Sequence, residues 1–335
     1  MSVTLIDIND VEVRLYREDG KVFTSPGVVH LDSDGMLFGE DARARLRSNP
    51  QGGFDKFWSQ LDEVPVAAGP RGIRHHADIA YRHLQHLIGE HGPLKQVLFV
   101  VPSDYSRAKL SLLLGIAQAL QLEVTGFVDN AVANLACRTL QHQTAQFLDL
   151  GLHRTCVSRL EINERVRFAS SQTLERSGKN HFGDIVINWI ADCFLDQARF
   201  DPLQDAASEQ LLFDQQDGWV NQLRKSAHIN VGLEQHGRLH EISLAKDELI
   251  SVLTPAFAAL AAPLAASSDV VLSHHFAIYP QELLSNLNAK LAGKTAALET
   301  VMACVPELLS TANEIRLCRS LPQATMTAGR NENGS

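Results

Sequence analysis

The sequence predicts an α/β fold in which each half of the chain contributes a sheet flanked by helices. Three observations support this. The run QVLFVV is continuously apolar, is bounded by turn residues and precedes a long helical pattern, as is typical of a buried central strand. The stretch FLDLGLHRTCVSRLEI has two apolar, strand-like halves around a turn, so a second sheet is expected to begin there. At 335 residues the chain is long enough to bury two cores.

Strand and helix patterns alternate through the first half. Residues 3–31 are predicted to form three short strands, because an Asp-Gly turn at 19–20 separates two alternating segments. The other predicted elements are helices at 40–48 and 77–88, a strand at 96–101, a helix at 106–120, a strand at 123–128 and a helix at 131–141.

The second half is predicted to begin with the hairpin at 147–162. It continues with helices at 184–194, 218–230 and 245–260, a strand at 270–273 and a last helix at 306–318. Residues 321–335 are polar and short of apolar side chains, so we expect a disordered tail.

Composition limits the function classes. The formal net charge is -9 and no acidic or basic block occurs, so nucleic-acid binding is not expected. The N-terminus lacks a basic region followed by an apolar run, and no stretch reaches the roughly 18 apolar residues that a membrane span needs. We therefore expect a cytoplasmic protein without membrane insertion. The five cysteines include no Cys-x-x-Cys pair, which favours reduced thiols over disulfides or a zinc knuckle.

Five segments, in one order, resemble a known family. They are SPGVVHLDSDGMLFGEDARARLRSNP, VVPSDYSRAKLSLLLGIAQALQLEVTGFVDNAVANLA, FLDLGLHRTCVSRLEI, HFGDIVINWI and DVVLSHHFAIYPQEL. Together they resemble the nucleotide-binding domain of DnaK-type heat-shock chaperones, within the wider actin-like ATPase fold. The resemblance implies two lobes, each with a mixed sheet flanked by helices, around a central cleft.

The resemblance also implies domain boundaries. Lobe I is expected to span residues 1–144, with 304–320 returning to it, and lobe II to span 145–303, before the tail at 321–335. In the family a linker and a peptide-binding domain follow this region. No counterpart of that domain is expected here, so the chain is not expected to act as a complete chaperone of that type.

The resemblance marks remnants of a catalytic site. Asp7 ends the first strand, Asp149 lies in the second phosphate hairpin, and Asp129 lies where the family has a catalytic-site Glu. Lys56 lies at the position of the catalytic Lys, or Phe57 does if the alignment shifts by one residue. Asp129 also has a simpler interpretation, because an acid near the start of a helix is favoured as a cap.

A nucleotide, if one binds, is expected to be held on its phosphate side by Asp7, Asp149, Gly151, Arg154 and Thr155. A turn of this kind presents backbone amides and a carboxylate to a phosphate–metal group. Arg154 would add a positive partner for a phosphate.

The first phosphate turn departs from the family. Asn9 and Asp10 stand where the family has a Gly-Thr-Thr-like turn, although phosphate-binding turns need glycine for close approach. Asp10 also adds negative charge beside the expected phosphates. The sequence therefore predicts weak affinity for a triphosphate.

The adenosine side departs as well. His274 and His275 replace a Gly-Gly pair on which the nucleoside lies. A family helix presents Glu, Lys and Ser to the ribose and base, and the corresponding positions here are Lys225, His228 and Gly232, assuming that they lie on a helix.

No metal site is expected. His274-His275 and His75-His76 are adjacent pairs, and neighbours on a strand point in different directions, with no Cys, Asp or Glu set at ligand spacing. Walker, Rossmann and Gly-x-Ser-x-Gly motifs are also lacking.

The function favoured by the sequence is that of a pseudo-ATPase: a non-catalytic regulatory or partner-binding module with a protein partner, no expected cofactor and no efficient nucleotide hydrolysis. One alternative is a working ATP-binding ATPase with an altered pocket and a chaperone-related role, using ATP and magnesium. In it, Asp7, Asp129 and Asp149 would arrange Mg²⁺ and the attacking water. Another alternative is an actin-like filament or scaffold protein.

Overall fold

Two six-stranded mixed sheets form the centre of the structure, a computed structural model that describes residues 3–32, 35–66, 72–310 and 315–323. The strands are β1 (Val3–Asp7), β2 (Val13–Tyr16), β3 (Val22–Ser25), β4 (Val29–Asp32), β5 (Gly35–Phe38), β6 (Gly53–Phe54), β7 (Gln96–Val101), β8 (Glu123–Asp129), β9 (Thr144–Leu150), β10 (Arg154–Ile162), β11 (Arg165–Glu175), β12 (His228–Gln235), β13 (Arg238–Ala245), β14 (Asp269–Leu272), β15 (Ala289–Leu291), β16 (Leu317–Cys318) and β17 (Ser320–Pro322).

Helices connect these strands and cover both sheets. They are α1 (Gly39–Arg43), α2 (Phe57–Gln60), α3 (His76–His91), α4 (Arg107–Ala119), α5 (Asn130–Ala136), α6 (Lys179–Ala198), α7 (Ala206–Leu223), α8 (Lys246–Ala261), α9 (Gln281–Ser285) and α10 (Ala296–Ser310), with 3-10 turns at Pro50–Gly52 and His274–Ile278. Among the described residues, no helix combines the length and the apolar character that crossing a membrane requires.

The two sheets repeat one topology. The first has the order β16-β8-β7-β1-β2-β3 and the second β15-β14-β9-β10-β11-β17. In each, three consecutive strands pair antiparallel, β1-β2-β3 and β9-β10-β11, and two later strands join parallel beside the first of them. The sheets therefore place β1 and β9 at equivalent positions.

A layer of small side chains separates the sheets. Every residue of α5 is buried, and its alanines allow a close approach to both sheets. The core around α5 and α10 includes Leu5 and Leu98 from the first sheet and Phe147 and Val271 from the second. The two sheets thus share one core, and the ends of β1 and β9 lie near each other.

The outer faces are covered by separate helices. On the first sheet, Leu84 of α3 and Leu113 of α4 join a core with Phe99 of β7. On the second sheet, α6, α8 and the β12–β13 hairpin enclose a core that includes Phe182 and Phe257. The structure is therefore α/β, with mixed sheets flanked by helices, and this general fold class agrees with the sequence prediction.

Four strand segments, 3–8, 96–101, 147–150 and 270–273, are predicted to be buried. All of their residues are buried except Gln96, which is half-buried at the start of β7. These strands are covered on both faces, which explains their nearly continuous apolar sequences.

The predicted third strand divides in two. It forms β3 in the first sheet and β4 in a separate small sheet with β5 and β6. The chain turns at Pro26-Gly27, where a Cβ on Gly27 would lie 2.3 Å from the carbonyl oxygen of Asp10. Only a residue without a side chain permits that approach, so the strand is interrupted there.

The predicted helix at 218–230 is wrong beyond Leu223, where α7 ends. Strand β12 begins at His228 and buries Val231 and Leu233 on one face, a period of two that is incompatible with a helix. Gly232 lies on the same strand. The helix assumed for ribose and base contacts therefore does not exist at these positions.

The predicted end of the chain also differs. Helix α10 ends at Ser310, and Leu317–Cys318 pair with β8 as a strand, so the predicted helix at 306–318 is confirmed over 306–310 and wrong at 317–318. Ser320–Pro322 pair with β11, which places the first residues of the predicted tail in a sheet. The apolar pattern of β16 and β17 is weak, but backbone hydrogen bonds to β8 and β11 hold them as strands. The rest of the predicted tail, 324–335, lies outside the described residues.

Gly178 fixes the contact between α6 and the β9–β10 hairpin. A Cβ at this position would lie 2.3 Å from the carbonyl carbon of His153 and 2.4 Å from the amide nitrogen of Arg154. We expect Gly178→Ala to lower the free energy of unfolding by about 1–3 kcal/mol, because two backbone segments must separate. Urea titration measures the loss.

The control for this change is Gly115→Ala at an exposed position of α4, where no heavy atom lies within 4 Å of the added Cβ. That variant is expected to gain about 0.5–1 kcal/mol from helix propensity. Equal stability changes in the two variants would contradict the role given to Gly178.

Candidate functional site

Asp7 ends β1 and is paired with an internal cation. The register of the first hairpin sets Asp7 opposite Arg14, and the Nε of Arg14 donates to Oδ2 of Asp7 at 2.9 Å. Both side chains are buried. Arg14 also donates to the backbone carbonyl of Lys294, which lies beyond the second sheet's β15. The carboxylate is thus neutralised by a guanidinium from its own hairpin.

Asn9 joins the first hairpin to the second. Its Nδ2 donates to Oδ1 of Asp149 at 3.1 Å and to the carbonyl of Leu150 at 3.2 Å. Its Oδ1 accepts from the amide of Val11 at 2.8 Å, which fixes the orientation of the side-chain amide. The structure therefore brings the ends of β1 and β9 together, but through direct contact and not across an open cleft.

Asp10 occupies the space at the second turn. Its Oδ1 accepts from the amide of Leu152 at 2.8 Å and lies 2.8 Å from where a Cβ on Gly151 would be. Burial raises the pKa of Asp10, while the bond from Leu152 and the nearby charges of His153 and Arg154 act in the opposite direction. The amide that a phosphate would use is already bound to this carboxyl group.

Asp149 is buried among acids. Burial raises its pKa to about 8, and the charges of Asp7 and Asp10 add to the rise. Oδ1 accepts from Asn9, and Oδ2 accepts from Nδ2 of Asn130 at 2.8 Å. At neutral pH the protonated form of Asp149 is therefore favoured.

Little space remains between the two hairpins. A cavity of about 30 Å³ lies there, lined in part by Asn9, Asp10, Asp149 and Gly151. A cavity of this size has room for about one or two water molecules. The residues at this place do not fit a triphosphate, because Asn9 and Asp10 fill the space and hold the amide that it would need.

Arg154 and Thr155 make structural contacts. Arg154 donates to Oδ2 of Asp104 at 2.6 Å and to the carbonyl of Ser59 at 3.0 Å. The hydroxyl of Thr155 donates to the carbonyl of Ser177 at 2.6 Å, immediately before α6. Both side chains bind protein groups that hold neighbouring segments.

Asp129 and Lys56 lie apart from this small cavity. Asp129 is the N-cap of α5: its Oδ1 accepts from the amides of Ala131 at 3.0 Å and Val132 at 3.2 Å, and from Ser103. Burial raises its pKa. Lys56 is exposed at the start of α2 and lines neither this cavity nor the larger one described next, whereas Phe57 is fully buried.

A second cavity, of about 300 Å³, lies beside the two hairpins. It is lined by the segment after β1, by α1, α6 and α7, by the 3-10 turn after β14, and by Lys294. Its charges are largely paired across the space: Asp217 binds Arg43 at 2.8 Å and Lys179 at 2.9 Å. The cavity is therefore polar without a strong excess of either charge.

His274 and His275 both line this larger cavity. They begin a 3-10 turn, not a strand, so the expectation that they point in different directions is wrong. Their ring centroids are 3.9 Å apart, and the Nε2 of His274 lies 3.0 Å from Oε1 of Glu12. Burial, with the charges of His274 and Arg14, lowers the pKa of His275 well below its usual value.

Sequence reasoning missed Arg14, Asn130 and Glu12. A signal existed for Arg14, because folding the first hairpin in register sets it opposite Asp7. Asn130 follows Asp129 at the start of a predicted helix, and its contact with Asp149 depends on the packing of the two sheets. Glu12 meets His274 only in the folded chain.

The geometry thus consists of a site between the two hairpins that Asn9 and Asp10 fill, called the closed site below, and a larger cavity beside it. No protein-family model matches the sequence, and no curated protein matches it.

Proposed function

We propose that this chain is a pseudo-ATPase: a non-catalytic, partner-binding module with an actin-like ATPase fold, similar to the nucleotide-binding domain of DnaK-type chaperones. One observation carries the proposal. Asn9 and Asp10 fill the space between the two hairpins where that fold would hold phosphates, and they bind Asp149 and the amide of Leu152 directly.

The repeated sheet order supports the choice of fold. Each sheet has three antiparallel strands followed by two parallel ones, and the first strand of each carries an acid near its end, Asp7 on β1 and Asp149 on β9. A fold with two phosphate hairpins needs this equivalence. The resemblance of the five sequence segments points to the same fold.

The electrostatics of the closed site support a non-catalytic role. A magnesium–nucleotide site needs ionised carboxylates that are free to hold the ion or its waters. Here Asp7 is paired with Arg14, and Asp149 has a pKa raised to about 8 by burial and by its acidic neighbours. The guanidinium of Arg14 already balances the charge of Asp7, and Asn9 and Asn130 already occupy the two carboxyl oxygens of Asp149.

A module without turnover acts through its surface, so its partner is expected to be a protein. The closed site would then serve as a fixed link between the two hairpins, holding one arrangement of the sheets without nucleotide. The partner-binding surface would not have to open and close with ATP.

The alternative function, an ATP-binding protein with an altered pocket, is favoured by the larger cavity. Its volume of about 300 Å³ falls at the lower end of small-molecule sites, and Arg43 and Lys179 line it. In this alternative the nucleotide would be held away from the closed site, and its phosphates would have to displace Asp217 from both cations.

Nucleotide binding separates the two functions. We expect neither Mg-ATP nor Mg-ADP at millimolar concentration to produce binding heat in calorimetry or to shift the melting temperature. A triphosphate would lose several hydrogen bonds in the filled site, at about 1–3 kcal/mol each. A ligand that does not bind the native state cannot stabilise it.

A melting shift of several degrees with Mg-ATP, abolished in Asp149→Ala, would overturn the pseudo-ATPase proposal. Asp192→Ala on the exposed face of α6 is the control for loss of a carboxylate. A shift that both variants retain would place the nucleotide outside the closed site and favour the alternative.

A further inference from the structure

Three metal-ligating side chains meet at the wall of the larger cavity. The ligand atoms of Glu12, His274 and His275 all lie within 4.8 Å of one another. Glu12 lies between β1 and β2 of the first sheet, whereas the two histidines follow β14 of the second. The cluster therefore joins the two sheets at a second place, separate from the contacts of Asn9 and Asp10.

The spacing suits a small metal ion. Ligand atoms about 2.0–2.1 Å from a tetrahedral zinc ion lie about 3.3 Å from one another. The contact between His274 and Glu12 is 3.0 Å, and the largest separation in the cluster is 4.8 Å or less. The widest separation therefore has to shorten by at most about 1.5 Å to reach the spacing around a tetrahedral zinc ion.

The local backbone explains why both histidines are available. A 3-10 turn has three residues per turn, so its consecutive side chains do not point to opposite faces as they do on a strand. Both rings line the cavity. The open side of the cluster faces this space of about 300 Å³, which has room for a water molecule or another ligand as a fourth donor.

Charges around the cluster are balanced. Arg14, Lys179 and Lys294 act on His275 as positive groups, but Arg14 is paired with Asp7 and Lys179 with Asp217. Glu12 contributes a carboxylate inside the cluster. The surroundings therefore do not present an excess of positive charge large enough to exclude a divalent cation.

We propose that Glu12, His274 and His275 bind a divalent transition-metal ion, with zinc as the preferred ion, and that this ion links the two sheets at the cavity wall. Two imidazoles and a carboxylate are a donor set that zinc accepts, and three protein ligands leave one position open to the cavity. This inference goes beyond the proposed function and does not depend on it, because the closed nucleotide site contributes none of the ligands.

Metal titration of chelator-stripped protein tests the proposal. We expect one equivalent of Zn²⁺ to bind in calorimetry with a dissociation constant of about 1 μM or tighter. Co²⁺ in place of Zn²⁺ should give the visible d–d absorption of a tetrahedral site with nitrogen and oxygen ligands. Zinc should also raise the melting temperature, since it would bind only the folded arrangement.

His275→Ala and Glu12→Gln are each expected to weaken zinc binding at least about tenfold. Glu12→Gln keeps the shape of the side chain and can still hydrogen-bond to His274, so it is the safer variant for folding. The matched control is His86→Ala on α3. His86 also lies close to a carboxylate, 3.5 Å from Glu90, but it is not one of the three proposed ligands.

The proposal requires both site variants to weaken binding while His86→Ala does not. Zinc binding weaker than about 100 μM in the wild type overturns it. Zinc affinity equal to that of the wild type in either folded variant overturns it as well. That result would mean that other residues bind the zinc. Circular dichroism and the metal-free melting temperature establish that each variant is folded.

Discussion

Replacing Arg14 by methionine is expected to lower the free energy of unfolding by about 3–5 kcal/mol. The guanidinium of Arg14 and the carboxylate of Asp7 are both buried, with side-chain exposures of 5% and 3%. Methionine fills similar space but leaves the charge of Asp7 without a partner beside Asp10 and Asp149, which are themselves acidic. A buried, unpaired carboxylate costs far more than the loss of one hydrogen bond.

Two further variants identify the cause of that loss. Asp7→Asn combined with Arg14→Met should recover part of the stability, because no buried charge remains. Arg74→Met is the control: Arg74 is 77% exposed and pairs with Asp78, so its loss should cost at most about 1 kcal/mol. Urea unfolding at neutral pH measures all three. If the double variant is no more stable than Arg14→Met, the loss of stability comes from packing and not from the unpaired charge of Asp7.

The buried strands could be predicted because burial on both faces leaves a strong pattern. Strands β1 and β7 are buried along nearly their whole length, and their sequences are almost continuously apolar. The hairpin β12–β13 does carry a strand signal, which the predicted helix at 218–230 passes over. His228, Asn230 and Gly232 alternate with Ile229, Val231 and Leu233, and this period of two is typical of a strand with one buried face.

The site could be predicted in position but not in contacts. The ends of β1 and β9 meet because the two sheets share the core around α5, and the order of strands and helices made that meeting foreseeable. Whether Asn9 fills the space or leaves it open depends on side-chain packing. The convergence of Glu12 with His274 depends on a 3-10 turn that a His-His pair does not specify.

The contacts of Asn9 and Asp10 also show what these two polar side chains do in the folded chain. Asp10 adds negative charge, but its carboxyl group is held by the amide of Leu152. The side-chain amide of Asn9 donates a hydrogen bond to the carboxyl group of Asp149, as a water molecule would. Residues that would oppose a triphosphate therefore have structural partners in the folded chain.

Asp149 makes stability depend on pH in a direction opposite to that of most carboxylates. Burial, with the charges of Asp7 and Asp10, raises its pKa from the usual 3.8 to about 8. Between these two pH values the folded protein keeps a proton that the unfolded chain releases. The contribution of Asp149 to stability therefore falls as pH rises from about 4 to about 8, and the full shift corresponds to on the order of 5 kcal/mol.

Asp149→Asn should remove this dependence, because asparagine resembles the protonated acid and carries no charge. We expect its free energy of unfolding, relative to wild type, to increase by about 3–5 kcal/mol between about pH 4 and pH 9, measured by urea unfolding across that range.

Asp217→Asn is a control of opposite sign. The pKa of Asp217 is lowered, since Lys179 and Arg43 outweigh the effect of its burial. That variant should be less stable than wild type at neutral pH, with a deficit that shrinks as pH falls below about 4. A stability difference between Asp149→Asn and wild type that does not change with pH would mean that Asp149 is ionised in the folded protein, and that a cation balances it.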